Sequence, residues 1–510
     1  MSEKFQRILE LIENKTAKLG VVGLGQVGLP TALSFADAGF SVTGSDINKK
    51  LLDNLSRAVA PFEESGLSEL LQKCIHNNKF SIANKTEDLI LICDVIIVCV
   101  PTPLTENIKP NLSYLEDVMK IFANHQLDGK LVIIESSIPP GTFENLILDS
   151  IQKTNTLGKD VWSAFVPERL APGNATREIR TTPRVIGYHD SDSGVLAKKL
   201  YQNMVSAQII TTDVKIAEIS KLVENTYRDV NVALANEIGL ICENYGVDFK
   251  ELQSVCNSHP RVNLLSAGPG VGGPCLPKDP FLLLSPHGKD VIDSKIIRYA
   301  RAINDSMPEH VVDLVMKGLS YHGKSVNGSK IAIWGVAYKA NISDTRLSPA
   351  DPIISKLIKK GSEVSVFDPF SNESFGAIKT AIAVDENFNK ESKRYTVRIK
   401  ATVAETMINS LIRESSKSAA KQTNTNGGAS PGAGGAILVL GMAREADVVK
   451  SFADKETKMS EVSADSSSSK EAIKQSGGRA LAKSDTSSTS TRTKEVTGGN
   501  RERKRDQVTF

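Results

Sequence analysis

The 510-residue chain has no apolar run long enough to cross a membrane as a helix; the stretch "LILICDVIIVCVP" is broken by Asp94 and stops well short. Its start, "MSEKFQRILELIENK", carries charge throughout and lacks the apolar segment of a signal peptide. There are six cysteines and no CxxC pair, which excludes a disulfide framework and argues against structural zinc, so no metal is expected. A formal net charge of +3 is too small for this length to indicate nucleic acid as a partner. The basic residues that do cluster lie in the terminal "GGNRERKRDQ", which reads as a solvated tail. These absences together predict a reducing, cytoplasmic setting, no membrane association and free thiols. The length allows two to four domains, and 40% apolar with 24% charged residues is ordinary for a globular chain.

Against that background the order of elements is informative. "KLGVVGLGQVGLPTALSFADAGFSVTGSD" reads as a strand (Leu19 to Val22), a glycine turn, a helix and a second strand ending at Asp46. Further strand-like runs at "DVIIVCVPTP" and "KLVIIESSIPPGT" are separated by helical patterns, which implies an α/β fold with a parallel sheet. This predicts an N-terminal Rossmann-like domain over 1–200. From Asp213 no Gly or Pro occurs for over twenty residues, and Ile216, Ile219, Leu222, Val223, Tyr227, Val230, Leu234 and Ile238 recur at helical spacing. One long helix to Tyr245 is expected in a central helical domain, 201–310, bridging domains or building a subunit interface. A third unit, 320–455, opens at "GSKIAIWGVAYK" and runs through a helix to "SEVSVFDPF", a second Rossmann-like beginning. It reads as irregular after 370, with a low-complexity spacer at 415–435; "AILVLGMAREADVV" beyond the spacer could supply a missing strand. Residues 456–510 are too poor in apolar side chains to fold and are expected to be a disordered tail.

The glycine turn carries the first chemistry. Gly23, Gly25 and Gly28 form GxGxxG between strand and helix, which suits a pyrophosphate at the helix N-terminus. Asp46, about twenty residues on, can accept hydrogen bonds from ribose hydroxyls and would repel an extra phosphate, so NAD is preferred over NADP. The second signal is "GPGVGGPCLPKDP". Glycines 270, 272 and 273 should strip side chains from around Cys275 and free backbone amides; Lys278 or a more distant lysine should favour the thiolate, and Asp279 could hold a water or orient that lysine. Lys221 and Asn225 share one face of the long helix, and Glu168 sits in a Pro-bounded loop. Each also has a plain alternative: a packed loop cysteine, a solvated pair, an exposed carboxylate. A cysteine beside an NAD site points to oxidation of an aldehyde through a thiohemiacetal and thioester, with a Lys–Asn pair steadying the oxyanion and a carboxylate as base for water.

"GVVGLGQVGLP", "VCVPTP", "ESSIPPGT", "FVPERLAPG", "EISKLVENTYRDVNVALANE", "HPRVN", "GPGVGGPCLPKDP" and "GVAYKANISDTRLSP" occur in the order found in the UDP-glucose/GDP-mannose dehydrogenase family, which the chain resembles over about residues 18–370. The resemblance implies oxidation of the C6 hydroxyl of a nucleotide sugar to a carboxylate, with two NAD per turnover and a cysteine-bound intermediate. It implies Cys275 as nucleophile, Lys221 and Asn225 at the oxyanion and Glu168 as acid–base residue. Asp279 and Ser137 would position water or the lysine. Val27, Thr102 and Ser137 correspond to dinucleotide contacts, and Arg169, Arg228, His259 and Arg261 to substrate contacts. Lys339 and Arg346 correspond to the third domain's hold on UDP. "NSHPRVN…GPGVGG" is most similar to the branch acting on UDP-N-acetylhexosamines, with UDP-N-acetyl-D-mannosamine first, and UDP-N-acetylglucosamine or UDP-glucose as alternatives. A homodimer or higher homo-oligomer is implied. The unusual sequence after 370 leaves open an inactive NAD-binding relative, and a hydroxy-acid dehydrogenase on a similar scaffold is the remoter choice.

Overall fold

A computed structural model of the chain describes residues 2–368 except 63, 171, 172 and 341, and then 371, 374–375, 378–379 and 437–440. These belong to one compact unit, Met1–Glu445; the second, Ala446–Phe510, lies outside the described residues, as do the expected spacer and tail. Among the described residues no helix is long and apolar enough to cross a membrane.

The first part of the chain builds an eight-stranded sheet from β1 (Lys18–Val22), β2 (Ser41–Ser45), β3 (Phe80–Ala83), β4 (Val95–Val98), β5 (Lys130–Ile134), β6 (Val161–Phe165), β7 (Arg184–Tyr188) and β8 (Ile209–Asp213). Their spatial order is β3-β2-β1-β4-β5-β6-β7-β8, and every pairing is parallel except β6 with β7. Helices cover both faces, which is why strands such as Val95–Val98 are apolar throughout rather than alternating. Val95 and Ile97 enter one core with Leu131, Ile133 and Trp162; Ile96 and Val98 enter the other with Val132, Ile134 and Phe165. The charged leader is a helix, Glu3–Glu13, that buries Phe5, Ile8 and Ile12, with Phe5 edge-on to Trp162 at 5.8 Å. Cys93 and Cys99 flank β4.

The long helix runs over Val214–Tyr245. The Asp213 side chain accepts from the Lys215 amide at its start, and Gly246 closes it at φ 65°. A second helix, Lys295–Tyr321, packs along it. Between them Arg301 donates to Asp229 at 2.6 Å, Asn304 donates to the same carboxylate at 2.9 Å, and Asn236 donates to Asn304 at 2.9 Å. All four side chains are buried, so the seam between the helices is specified by polar pairing.

The third unit places β9 (Lys330–Trp334) parallel to β10 (Glu363–Phe367), with the helix Ala350–Lys359 between them in sequence. A two-residue pair, β11 (Ser374–Phe375) and β12 (Ile378–Lys379), follows, and β13 (Ile437–Leu440) lies parallel to β9 on its free side. The strand suggested beyond the spacer is therefore found in this sheet, in the order β10-β9-β13.

Candidate active site

The order of strands, read across the carboxyl ends of β2, β1, β4, β5 and β6, is also the order in which the nominated residues appear: Asp46, the glycine turn, Thr102, Ser137 and Glu168. The connections reverse direction between β1 and β4, where open α/β sheets leave a crevice for ligand.

The glycine turn divides its labour as the sequence predicts. Gly23 has φ 88°, and a Cβ at Gly28 would lie 1.8 Å from the Gly23 carbonyl oxygen, so both positions exclude a side chain. Gly25 has nothing within 4 Å of such a Cβ; it is the open side of the turn, with room for a pyrophosphate. Val27 is the N-cap residue of the helix Gly28–Asp37. The Asp46 carboxylate accepts from the Leu24 amide at 2.8 Å and the Asn48 amide at 2.9 Å, which ties the acid to the turn. The residues present fit an NAD molecule.

Beside this turn the side chains named for catalysis close into a ring of polar contacts. Lys221 donates to the Ser137 hydroxyl, and Thr102 donates to the Ser137 carbonyl. Lys278 Nζ lies 3.5 Å from Thr102 Oγ1 and 3.1 Å from Asp279 Oδ1, and Asn225 donates to Asp279 Oδ2 at 2.6 Å. Asn225 and Lys221, one turn apart on the long helix, complete the circuit. Cys275 stands against it: its carbonyl accepts from the amides of Lys278 and Asp279 at 3.0 and 2.8 Å. Burial pushes the thiol above its usual pKa; Lys221, and more weakly Lys278 and Arg346, pull the other way while Asp279 adds to the rise. The expectation that lysines favour the thiolate is thus met in sign and outweighed by desolvation.

The glycines before Cys275 do something other than bare the thiol. Built Cβ atoms at Gly272 would lie 2.6 Å from the Leu347 carbonyl oxygen and 2.7 Å from Tyr338 Cβ; at Gly273, where φ is 87°, the nearest atom is in the Tyr338 ring at 2.6 Å. The Gly273 amide, expected to be free, donates to the Arg346 carbonyl at 3.0 Å. The glycines are there so that the thiol's loop can lie flat against the third unit. Tyr338 escaped notice in the sequence because nothing in its neighbours marks it as the surface two glycines press on.

The remaining nominees divide. Glu168 is buried rather than exposed, paired with Arg184, which is itself buried and stacked 5.6 Å from the Tyr201 ring centre. Next to them Glu135 accepts from Tyr201 at 2.6 Å, Thr31 at 3.0 Å and Cys99 at 3.3 Å; burial, then the nearby Glu168, pushes its carboxyl up. No part of this buried group was legible from spacing. Arg169 is held by Glu224 through Nε and Nη2 at 2.9 and 2.5 Å. Arg346 lies on Asp344 and reaches across to Gln26 of the glycine turn at 2.5 Å, so it faces the dinucleotide site as well as its own domain. Arg228 and Lys339 are exposed; so are His259 and Arg261, which follow the helix Phe249–Asn257 and are not members of the ring beside Cys275. A cavity of about 640 Å³ on the far side of the loop, lined by Leu240, Ala267, Pro269, His310 and Ile353, contains none of the nominated residues.

Residues 17–205 match the NAD binding domain of the UDP-glucose/GDP-mannose dehydrogenase family, 215–306 its central domain and 332–422 its UDP binding domain. The UDP-N-acetyl-D-mannosamine dehydrogenase of Methanocaldococcus jannaschii is 41% identical over 359 residues, 70% of this chain and 80% of that protein. The structure of the UDP-D-ManNAc dehydrogenase from Pyrococcus horikoshii superposes with a TM-score of 0.65 at 39% identity, covering 69% of this chain and 84% of that one. For the UDP-N-acetyl-mannosamine dehydrogenase of Staphylococcus aureus the TM-score is 0.63 at 34% identity, covering 70% and 84%.

Proposed function

Since the chain belongs to the UDP-glucose/GDP-mannose dehydrogenase family and is an NAD-dependent nucleotide-sugar dehydrogenase, we propose that it oxidises the C6 hydroxyl of a UDP-N-acetylhexosamine, UDP-N-acetyl-D-mannosamine first, to the uronate through Cys275. The observation that carries this reading is the ring formed by Lys221, Ser137, Thr102, Lys278, Asp279 and Asn225, with the Cys275 thiol against it and the glycine turn alongside. The sugar is chosen on the names of the most similar relatives.

When bound, NAD supplies the hydride acceptor for both oxidations, so each sugar reduces two equivalents. Gly23 and Gly28 would shape the turn for its pyrophosphate, Gly25 would leave the approach open and Asp46 would accept from its ribose hydroxyls. In the first oxidation Lys221 serves in moving the C6 hydroxyl proton. The Cys275 sulfur then bonds to the resulting aldehyde carbon as its thiol proton passes to the carbonyl oxygen, and that oxygen is steadied by Lys221 and the Asn225 amide. Asn225 can do this because Asp279 fixes its side chain. After the second oxidation water attacks the thioester, the C–S bond breaks and the thiol returns. We assign the proton of that water to Glu168; its support is a carboxylate held by Arg184 at the end of β6, the strand beside the one leading into Ser137. Lys339 and Arg346 are assigned to the UDP diphosphate, with Arg346 touching the glycine turn at the same time.

We further propose a second copy of the chain against the long helix, where Ile216, Ile219, Val223, Tyr227 and Leu234 are exposed while Glu218, Asp229 and Asn236 are buried. A row of large apolar side chains left in water along one side of a helix is a surface for another molecule. Light scattering at micromolar concentration should give at least a dimer.

The test is NADH formation with UDP-N-acetylmannosamine, UDP-N-acetylglucosamine and UDP-glucose in parallel. Two NADH per sugar, with the first substrate preferred and turnover lost in Cys275→Ala, are expected. One NADH per sugar, or full activity in Cys275→Ala, would overturn the thioester route.

A further inference from the structure

One buried carboxylate has no part in the chemistry above. Glu218, only 1% exposed, lies on the long helix one turn before Lys221. Its Oε2 accepts from the Gly141 amide and its Oε1 from the Phe143 amide, both at 2.8 Å. These amides end the segment Ser137–Ile138–Pro139–Pro140–Gly141–Thr142, whose first residue is the serine that takes the Lys221 hydrogen bond. One helical turn therefore grips a single segment at both ends: Glu218 at the C-terminal end, Lys221 at the N-terminal end. The segment between is stiff. Two consecutive prolines fix their φ angles, Thr142 donates to the Pro139 carbonyl at 2.7 Å, and the His287 amide donates to the Pro140 carbonyl at 2.9 Å. A displacement at Gly141 cannot be absorbed along the way and must reach Ser137.

We propose that Glu218 is a positioning residue for the reaction: by clamping the Gly141 and Phe143 amides it holds Ser137 where Lys221 stays directed at Cys275. The inference rests on the assignment of Lys221 and Cys275 given above. It brings a pH dependence with it. Burial raises the Glu218 pKa to about 7 against the pull of the two amide bonds; the charged groups facing it are Glu144, which adds to the rise, and Lys215, which opposes it and is paired with Glu144 at 3.1 Å. Protonation removes one acceptor, so the clamp loosens on the acid side of neutrality.

The test uses the full chain without sugar. Alkylation of Cys275 by iodoacetamide, followed by mass spectrometry of its peptide between pH 6 and 9, reports how strongly Lys221 favours the thiolate. Glu218→Gln should slow alkylation at pH 8 roughly fivefold, as should Ser137→Ala, and the double variant should be no slower than either single one. Multiplying effects, or an unchanged rate in Glu218→Gln, would overturn the proposal, since a merely structural loss would add to the Ser137 effect. If Glu218→Gln fails to fold, amide exchange in the wild-type protein decides: corrected for intrinsic rates, protection of the Gly141 and Phe143 amides should fall as pH drops through 7, and constant protection would refute the clamp. Because no nucleotide sugar is present, a wrong substrate assignment leaves this result untouched, while active enzyme with multiplying effects sinks the clamp alone.

Discussion

Replacing Gly273 by alanine should damage catalysis more than its single added methyl group suggests. At φ 87° an alanine sits in the left-handed region, at a cost of about 1–2 kcal/mol. Its Cβ would lie 2.6 Å from the Tyr338 ring, against an ordinary contact of about 3.5–4 Å, so ring and loop must separate by roughly 1 Å. Overpacking of this kind costs about 1–3 kcal/mol, and the two effects together come to about 2–5 kcal/mol of destabilisation. The loop is the one that carries Cys275, and a shift near 1 Å at a nucleophile can lower turnover about a hundredfold. Steady-state NADH formation should therefore show kcat reduced by one to two orders of magnitude, with NAD affinity nearly unchanged because the glycine turn is not touched. Adding Tyr338→Ala to Gly273→Ala should recover part of the lost turnover by removing the clash, though not the backbone strain. Wild-type kcat in Gly273→Ala, or no recovery at all in the double variant, would mean that the contact with the third unit does not position the thiol.

Replacing Asp46 by serine should shift cofactor preference toward NADP by at least about tenfold in the ratio of kcat/KM values if, as proposed, its carboxylate is what repels the extra phosphate; an unchanged ratio would refute that role. Arg301→Leu leaves Asp229 buried without its cation and should cost about 3–5 kcal/mol in denaturant unfolding, partly restored when Asp229 is also made leucine. Glu218 should also mark the stability curve. Its folded pKa of about 7 lies above its ordinary 4.5, so the folded state holds the extra proton in between. That stabilisation is complete below pH 4.5 and is lost as pH rises through 7, amounting to about 3 kcal/mol. Glu218→Gln should flatten this slope in denaturant titrations from pH 5 to 8, and an identical slope would count against the assignment.

How far the sequence could be read depended on whether a signal was local. The glycine turn between strand and helix, the long helix and the second Rossmann-like beginning all announce themselves within about twenty residues, and each element is found. The helical spacing from Ile216 onward was equally plain, yet of that series Leu222 is buried while Ile216, Ile219, Val223, Tyr227 and Leu234 are exposed; the buried side also carries Glu218, Asp229 and Asn236, which add nothing to an apolar stripe. Pairings between distant segments were silent. Nothing near Glu168 predicts Arg184, and nothing near Gly273 predicts Tyr338, because both depend on how elements far apart in sequence are brought together. The ring at Cys275 stands between these cases, since its members could be named by resemblance while their contacts could not.

Arg346 gives its backbone carbonyl to the loop that carries Cys275 and its guanidinium to the glycine turn that follows β1. A single residue of the third unit is thus spliced into both of the others, which bears on how such a protein can change over evolutionary time. A third unit exchanged wholesale for a foreign one, however well it folded, would arrive without the surface that Gly272 and Gly273 were shaped to meet. A change in how the nucleotide is held should therefore come by substitution within this unit rather than by exchanging it whole.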